Sequence, residues 1–161
     1  IGAMDGFSPF KQDQIIPLLL DLLKPGGRLY IVGLEPIPDK VPGRDNVVCK
    51  MRQIRDACIL LAGHRCYREY PLEWIQKECR KQSGICKLLD SHTFPIIYRH
   101  STILRQINVA RSKLPFFPSK DLAASMRIVL NDLEQQALDA TEEAPIKLGF
   151  DYVVSVEKLH I

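Results

Sequence analysis

Residues 18–38 read LLLDLLKPGGRLYIVGLEPIP, a run that holds a helix end, a stop signal and an apolar strand in direct succession. Leu18, Leu19, Leu20, Leu22 and Leu23 give the helix its apolar face. Pro25, Gly26 and Gly27 end it, because proline has no N–H for the helical ladder and glycine accepts positive φ. Arg28 to Val32 then carries Leu29, Tyr30, Ile31 and Val32 almost without polar interruption, which predicts a strand covered on both faces. Helix, stop and strand in this order form the second half of an αβ unit in a parallel sheet.

Working outward, residues 11–24 form the helix, with Ile15, Ile16, Leu19, Leu20 and Leu23 at helical spacing. Pro17 marks either the start of its stiff part or a kink. After the strand at 28–33, three prolines and two glycines between Gly33 and Gly43 dictate a loop. Asp45 or Asn46 caps the next helix, which runs to Ala62 with Val47, Met51, Ile54, Cys58 and Leu61 on one face. Another helix begins at Pro71, buries Leu72, Trp74, Ile75 and Cys79, and ends at Gly84. Residues 85–95 read as a strand closed by Pro95. Helical patterns follow at 99–113, with Ile103, Ile107 and Ala110, and at 119–140, with Leu122, Met126, Val129, Leu130, Leu133 and Ala137. Lys113 to Pro118 divides them, and Ser119 or Asp121 caps the second. A last strand spans 149–158. Its segment from Phe150 to Val156 alternates poorly, which predicts burial on both faces.

The composition suits a soluble globular domain. Of 161 residues, 46% are hydrophobic, enough for a core, and the mean hydropathy is near zero. A net charge of +3, spread along the chain, points to neither a nucleic acid nor an anionic membrane as partner. Five cysteines, at 49, 58, 66, 79 and 86, are odd in number and contain no C-x-x-C pair, so neither a disulfide framework nor a metal site is indicated. Reduced thiols in a cytoplasmic protein fit better. No apolar run approaches the roughly 20 residues of a membrane span, and no signal segment opens the sequence.

Leu22-Leu23-Lys24-Pro25-Gly26-Gly27-Arg28-Leu29 and the strand after it resemble the segment that precedes and forms the fifth strand of class I S-adenosylmethionine-dependent methyltransferases. Ile1-Gly2-Ala3-Met4-Asp5-Gly6 resembles the loop leaving that family's fourth strand. Gly149-Phe150-Asp151-Tyr152-Val153-Val154 resembles its last strand. The resemblance implies an α/β fold: a Rossmann-like methyltransferase sheet represented by strands five, six and antiparallel seven, with residues 96–147 as a helical insertion before the last strand. The family's glycine-rich cofactor motif does not occur here. Residues 1–161 are therefore expected to be the C-terminal part of a single methyltransferase domain, inactive without its N-terminal half.

Ligands of open α/β sheets bind beyond the carboxyl ends of the parallel strands. This rule and the resemblance together select the candidate residues. Gly2, Ala3 and Met4 are expected beside the cofactor, S-adenosyl-L-methionine. Asp5, Glu35 and His100 are candidate bases, required only when the methyl acceptor carries a proton. Phe7, Tyr70, Tyr98, Arg99, Phe116 and Phe117 are expected to line the site of a small-molecule acceptor, with Tyr67 near them. The bland readings are a turn residue for Asp5, a loop carboxylate for Glu35 and a solvated helix start for His100. The insertion reads as a lid over the acceptor or as a homodimer surface. Two other functions compete with methyl transfer: a non-catalytic methyltransferase-like interaction module, and a nucleotide-cofactor oxidoreductase on a similar sheet. RNA methylation is disfavoured, since neither a basic stripe nor an N/D-P-P-Y/F motif occurs.

Overall fold

The computed structural model describes residues 1–160. It is an α/β structure. Among the described residues are five α-helices, α1 Gln12–Asp21, α2 Asn46–Leu61, α3 Leu72–Lys81, α4 His100–Arg111 and α5 Lys120–Thr141. Three strands, β1 Arg28–Leu34, β2 Cys86–Tyr98 and β3 Ile146–Lys158, form one sheet in the order β1-β3-β2. Neighbouring strands are antiparallel, so β1 and β2 run parallel to each other on either side of β3. No helix among the described residues is long and apolar enough to cross a membrane.

The chain divides into two compact units. The first holds Ile1–Pro36, Tyr67–Pro95 and the chain from Gly149 onward; the second holds Ile37–Cys66 and Ile96–Leu148.

In the first unit α1 and α3 pack on one face of the sheet. Ile16 and Leu20 of α1 and Ile75 and Cys79 of α3 share a core with Ile31, Cys86, Tyr152, Val154 and Val156. The register pairs Ile31 with Val154 and Leu29 with Val156, and residues paired across antiparallel strands share a face. Tyr30 and Val32 point the other way and are 58% and 57% exposed. The strand predicted to be covered on both faces is thus covered on one. The same holds for β3, where Tyr152, Val154 and Val156 are buried and Val153 and Ser155 only partly so. An apolar run reports what a strand tolerates, whereas its coverage depends on which elements pack against it.

Backbone polarity along β1 follows from the same register. Glu35 N–H donates to the Phe150 carbonyl at 3.0 Å and Lys158 N–H to that of Gly27 at 2.9 Å, so odd-numbered residues bond to β3. The peptide groups of Arg28, Tyr30, Val32 and Leu34 face the outer edge, where the Ile1 amine donates to the Val32 carbonyl at 2.6 Å.

Gly26 takes φ +74° after α1, the left-handed turn that ends the helix as expected. Pro17 lies inside a continuous α1. Pro95 does not close its strand, since β2 runs on to Tyr98. β2 is an edge strand, where a residue without an N–H is tolerated.

In the second unit α2, α4 and α5 pack together around Val48, Met51, Cys58, Ile103, Ile107, Ala110, Leu130, Leu133 and Ala137. The helical body is therefore larger than the insertion at 96–147, because residues 37–66 contribute a third helix to it. Ser119 caps α5 by accepting from Leu122 N–H at 3.3 Å. Asn46 opens α2 but does not cap it; its side chain accepts from Val41 N–H at 3.2 Å instead. Arg44 ties the segment before α2 to the end of α5, donating to the Ala140 and Ala144 carbonyls at 2.8 Å each.

Gly33 lies opposite Tyr152 in the β1–β3 register, and a Cβ on Gly33 would overlap the Tyr152 ring, which is fully buried. Gly33→Ala is therefore expected to cost about 2–3 kcal/mol in urea unfolding, the range for overpacking a core. An unchanged unfolding midpoint would contradict this packing.

Candidate active site

The carboxyl end of β1 opens onto Tyr67–Pro71, a segment with no helix or strand pairing of its own. Its polar groups are met by side chains from three other places in the first unit. Asp5 accepts from Arg68 N–H at 3.1 Å through one carboxylate oxygen. The other oxygen accepts from the Gln12 amide at 2.6 Å and from Phe10 N–H at 3.4 Å. Tyr70 donates its hydroxyl to Gln12 Oε1 at 2.7 Å. Tyr152 donates its own hydroxyl to the Tyr70 carbonyl at 2.6 Å. Glu35, just past β1, accepts from Leu72 N–H at 2.8 Å and so caps the start of α3. A carboxylate at a helix N-terminus also complements its dipole.

These bonds sort the candidates. Asp5 is 8% exposed. Burial pushes its carboxyl up, but the hydrogen bonds from Gln12, Phe10 and Arg68 outweigh burial and hold it below the usual carboxylate range. A carboxylate so stabilised is a weak proton acceptor. Glu35 uses one oxygen on Leu72, and its second has no hydrogen-bond partner among the described residues. It is therefore the carboxylate of this pair with acceptor capacity left. Burial raises the Tyr70 hydroxyl, with the Asp5 charge adding to the effect, so it is held as a neutral donor. Burial likewise raises Tyr152, aided by Glu35 and Glu69.

Gly2 is buried, and a Cβ there would come within 2.8 Å of the Arg68 carbonyl and 2.9 Å of a Glu69 carboxylate oxygen. Ala3 is exposed and Met4 partly buried. Phe7 projects into solvent at 91% exposure. Tyr70 packs on Trp74 with ring centroids 4.7 Å apart. Gly2, Ala3, Met4, Asp5, Phe7, Glu35 and Tyr70 thus share one unit, around the 67–71 segment.

The remaining candidates belong to the second unit. Tyr98 ends β2 and is buried, and Arg99 is the exposed residue before α4. His100 starts α4, with Nε2 buried and without a hydrogen-bond partner among the described residues. Phe116 is 61% exposed and tilted against His64 at 5.7 Å. Phe117 packs partly on the helical core. Burial raises the thiols of Cys49, Cys58, Cys66 and Cys86, and that of Cys79 to about 11, which makes them poor nucleophiles at neutral pH.

Sequence reasoning missed Gln12, Arg68 and Tyr152. Only Tyr152 left a local trace: Gly33 inside an apolar strand signals close approach of another group.

Asp5→Asn places an amide NH2 against donors that a carboxylate satisfies, so a loss of about 1–3 kcal/mol is expected. Because the folded Asp5 carboxyl lies below its unfolded value, its contribution is complete above the unfolded value and disappears as pH falls through the folded one. Acid unfolding of the Asn variant should accordingly be less steep between about pH 5 and pH 3. Parallel stability–pH curves for the two proteins would refute the assignment.

With the geometry of both units in view, the chain matches no protein-family model and no curated protein.

Proposed function

We propose that this chain is the C-terminal part of a class I methyltransferase that transfers a methyl group from S-adenosyl-L-methionine to a small-molecule acceptor. One observation carries the reading: the last strand lies antiparallel between two mutually parallel strands, in the order β1-β3-β2. The resemblance at Gly149-Phe150-Asp151-Tyr152 calls for that insertion of the final strand. The uncovered sheet face of Tyr30 and Val32 and the outward peptide groups of β1 support further strands and helices from an N-terminal half as partner.

The cofactor would be held by Gly2, Ala3 and Met4, and the surroundings suit it. Beside Gly2 stand the Glu69 carboxylate and the Arg68 carbonyl, acceptor groups that favour a sulfonium cation. When bound, the cofactor supplies an electrophilic methyl group.

The chain's own contribution is alignment. Glu35, fixed through Leu72, keeps one oxygen to receive a proton from an acceptor hydroxyl, amine or thiol. Asp5 and Tyr70 hold the segment beside it rather than exchange protons. The second unit, with Phe116 exposed between prolines, offers a surface for a homodimer. The saturated bonding of Asp5 favours a second reading, a non-catalytic methyltransferase-like interaction module. A cytoplasmic location accords with five unpaired cysteines.

Calorimetry of the longer protein carrying this chain decides between the two readings. Heat on titration with S-adenosyl-L-methionine and protection from thermal unfolding are expected, and absence of both would sink the methyltransferase reading.

A further inference from the structure

Three large aromatic residues are exposed at one junction of the first unit: Phe7 at 91%, Phe10 at 64% and Tyr67 at 63%. The contacts of Gly6 with Tyr67 and of Phe10 with Arg68 bring Phe10 and Tyr67 to this junction, and Phe7 follows Gly6 in the chain. The Arg68 guanidinium lies over the Phe10 ring, 3.9 Å from its centroid, and Arg68 N–H is pinned by Asp5. Tyr67 lies against Gly6, where a Cβ would stand 3.2 Å from the ring. Phe10 has φ +63°, a left-handed conformation that a bulky side chain rarely adopts. Strain of this kind persists where neighbouring bonds enforce it, and here Phe10 N–H is held by Asp5.

Core packing explains none of these features. The rings face solvent, so the conformation of Phe10 is maintained without burying its side chain. The positive charge of Arg68 is spread over a flat guanidinium already stacked on one ring. Flat apolar faces beside a planar cation complement a flat ring that carries negative charge.

We infer that Phe7, Phe10, Tyr67 and Arg68 form a binding platform for a planar aromatic anion, such as an aromatic carboxylate or phenolate. On the methyl-transfer reading, from which this inference takes the ligand's role, that anion is the methyl acceptor. Arg68 and Tyr67 lie in the segment that precedes Leu72, whose N–H donates to Glu35.

The test titrates the chain with 2-naphthoate and with cyclohexanecarboxylate, which has the same charge and no aromatic face, while amide NMR shifts are followed. Saturable shifts centred on residues 7–10 and 67–68 are expected for 2-naphthoate, with cyclohexanecarboxylate at least about 10-fold weaker, the ratio that one stacking and one cation–π contact provide. Phe7→Ala should weaken 2-naphthoate at least about 5-fold without moving the unfolding midpoint, since the side chain is exposed. Phe10→Gly should raise the midpoint by relieving the backbone and still weaken binding. Equal affinity for the two carboxylates, shifts centred elsewhere, or undiminished binding by Phe7→Ala would overturn the platform. Failure to bind S-adenosyl-L-methionine in the longer protein, with 2-naphthoate still held, would remove the methyl-transfer reading and leave the platform standing.

Discussion

Tyr67–Pro71 crosses the carboxyl end of β1 without helical or sheet partners, and buried peptide groups left unmet would each cost about 1–3 kcal/mol. Asp5, Tyr152 and, just beyond the segment, Glu35 remove that cost. The organisation of the first unit follows from this requirement. Asp5 fixes the N-terminal residues against the segment, Glu35 sets where α3 begins, and Tyr152 reaches across β1 only because Gly33 has no side chain. Residues that a sequence reading treats as reagents are thus largely engaged in holding backbone.

The same requirement narrows the chemistry. Two carboxylates stand near the segment, but their environments differ. Asp5 is saturated by donors that hold its carboxyl below the usual carboxylate range, whereas Glu35 spends one oxygen on a helix terminus and retains the other. The methyl transfer proposed above would ask little more of this unit than alignment and, for a protonated acceptor, a place for one proton. The second unit has a different physical basis: three helices close over aliphatic side chains, with arginines such as Arg44 and Arg111 tying their ends and sides. Among the described residues, two buried polar atoms of this unit lack a hydrogen-bond partner, His100 Nε2 at the start of α4 and Arg52 Nε on α2.

Much of the architecture was legible locally. The proline-glycine stop, the strand after it, the buried face of α4 at Ile103, Ile107 and Ala110, and the Ser119 cap all appear where their residue types place them. Misreadings share one cause. Tyr30 and Val32 look like core residues but lie on the face that α1 and α3 leave open. Pro95 looks like a strand end but sits in an edge strand. Asn46 looks like a cap but spends its side chain on Val41. Each depends on neighbours distant in sequence or on a loop's path, which periodicity does not encode.

The sequence by itself determined where helices and strands run, because backbone sterics, side-chain period and the absence of an N–H in proline act within a few residues. Only the tertiary structure decided which strand faces are covered, that α2 joins the helical unit, and which carboxylate keeps a free oxygen. The bonds that settle the last point join residues 63, 37 and 82 positions apart, in the pairs Asp5–Arg68, Glu35–Leu72 and Tyr70–Tyr152. A polar group's role is set by the donors that folding brings to it, and these partners are adjacent only once the sheet and α3 have packed.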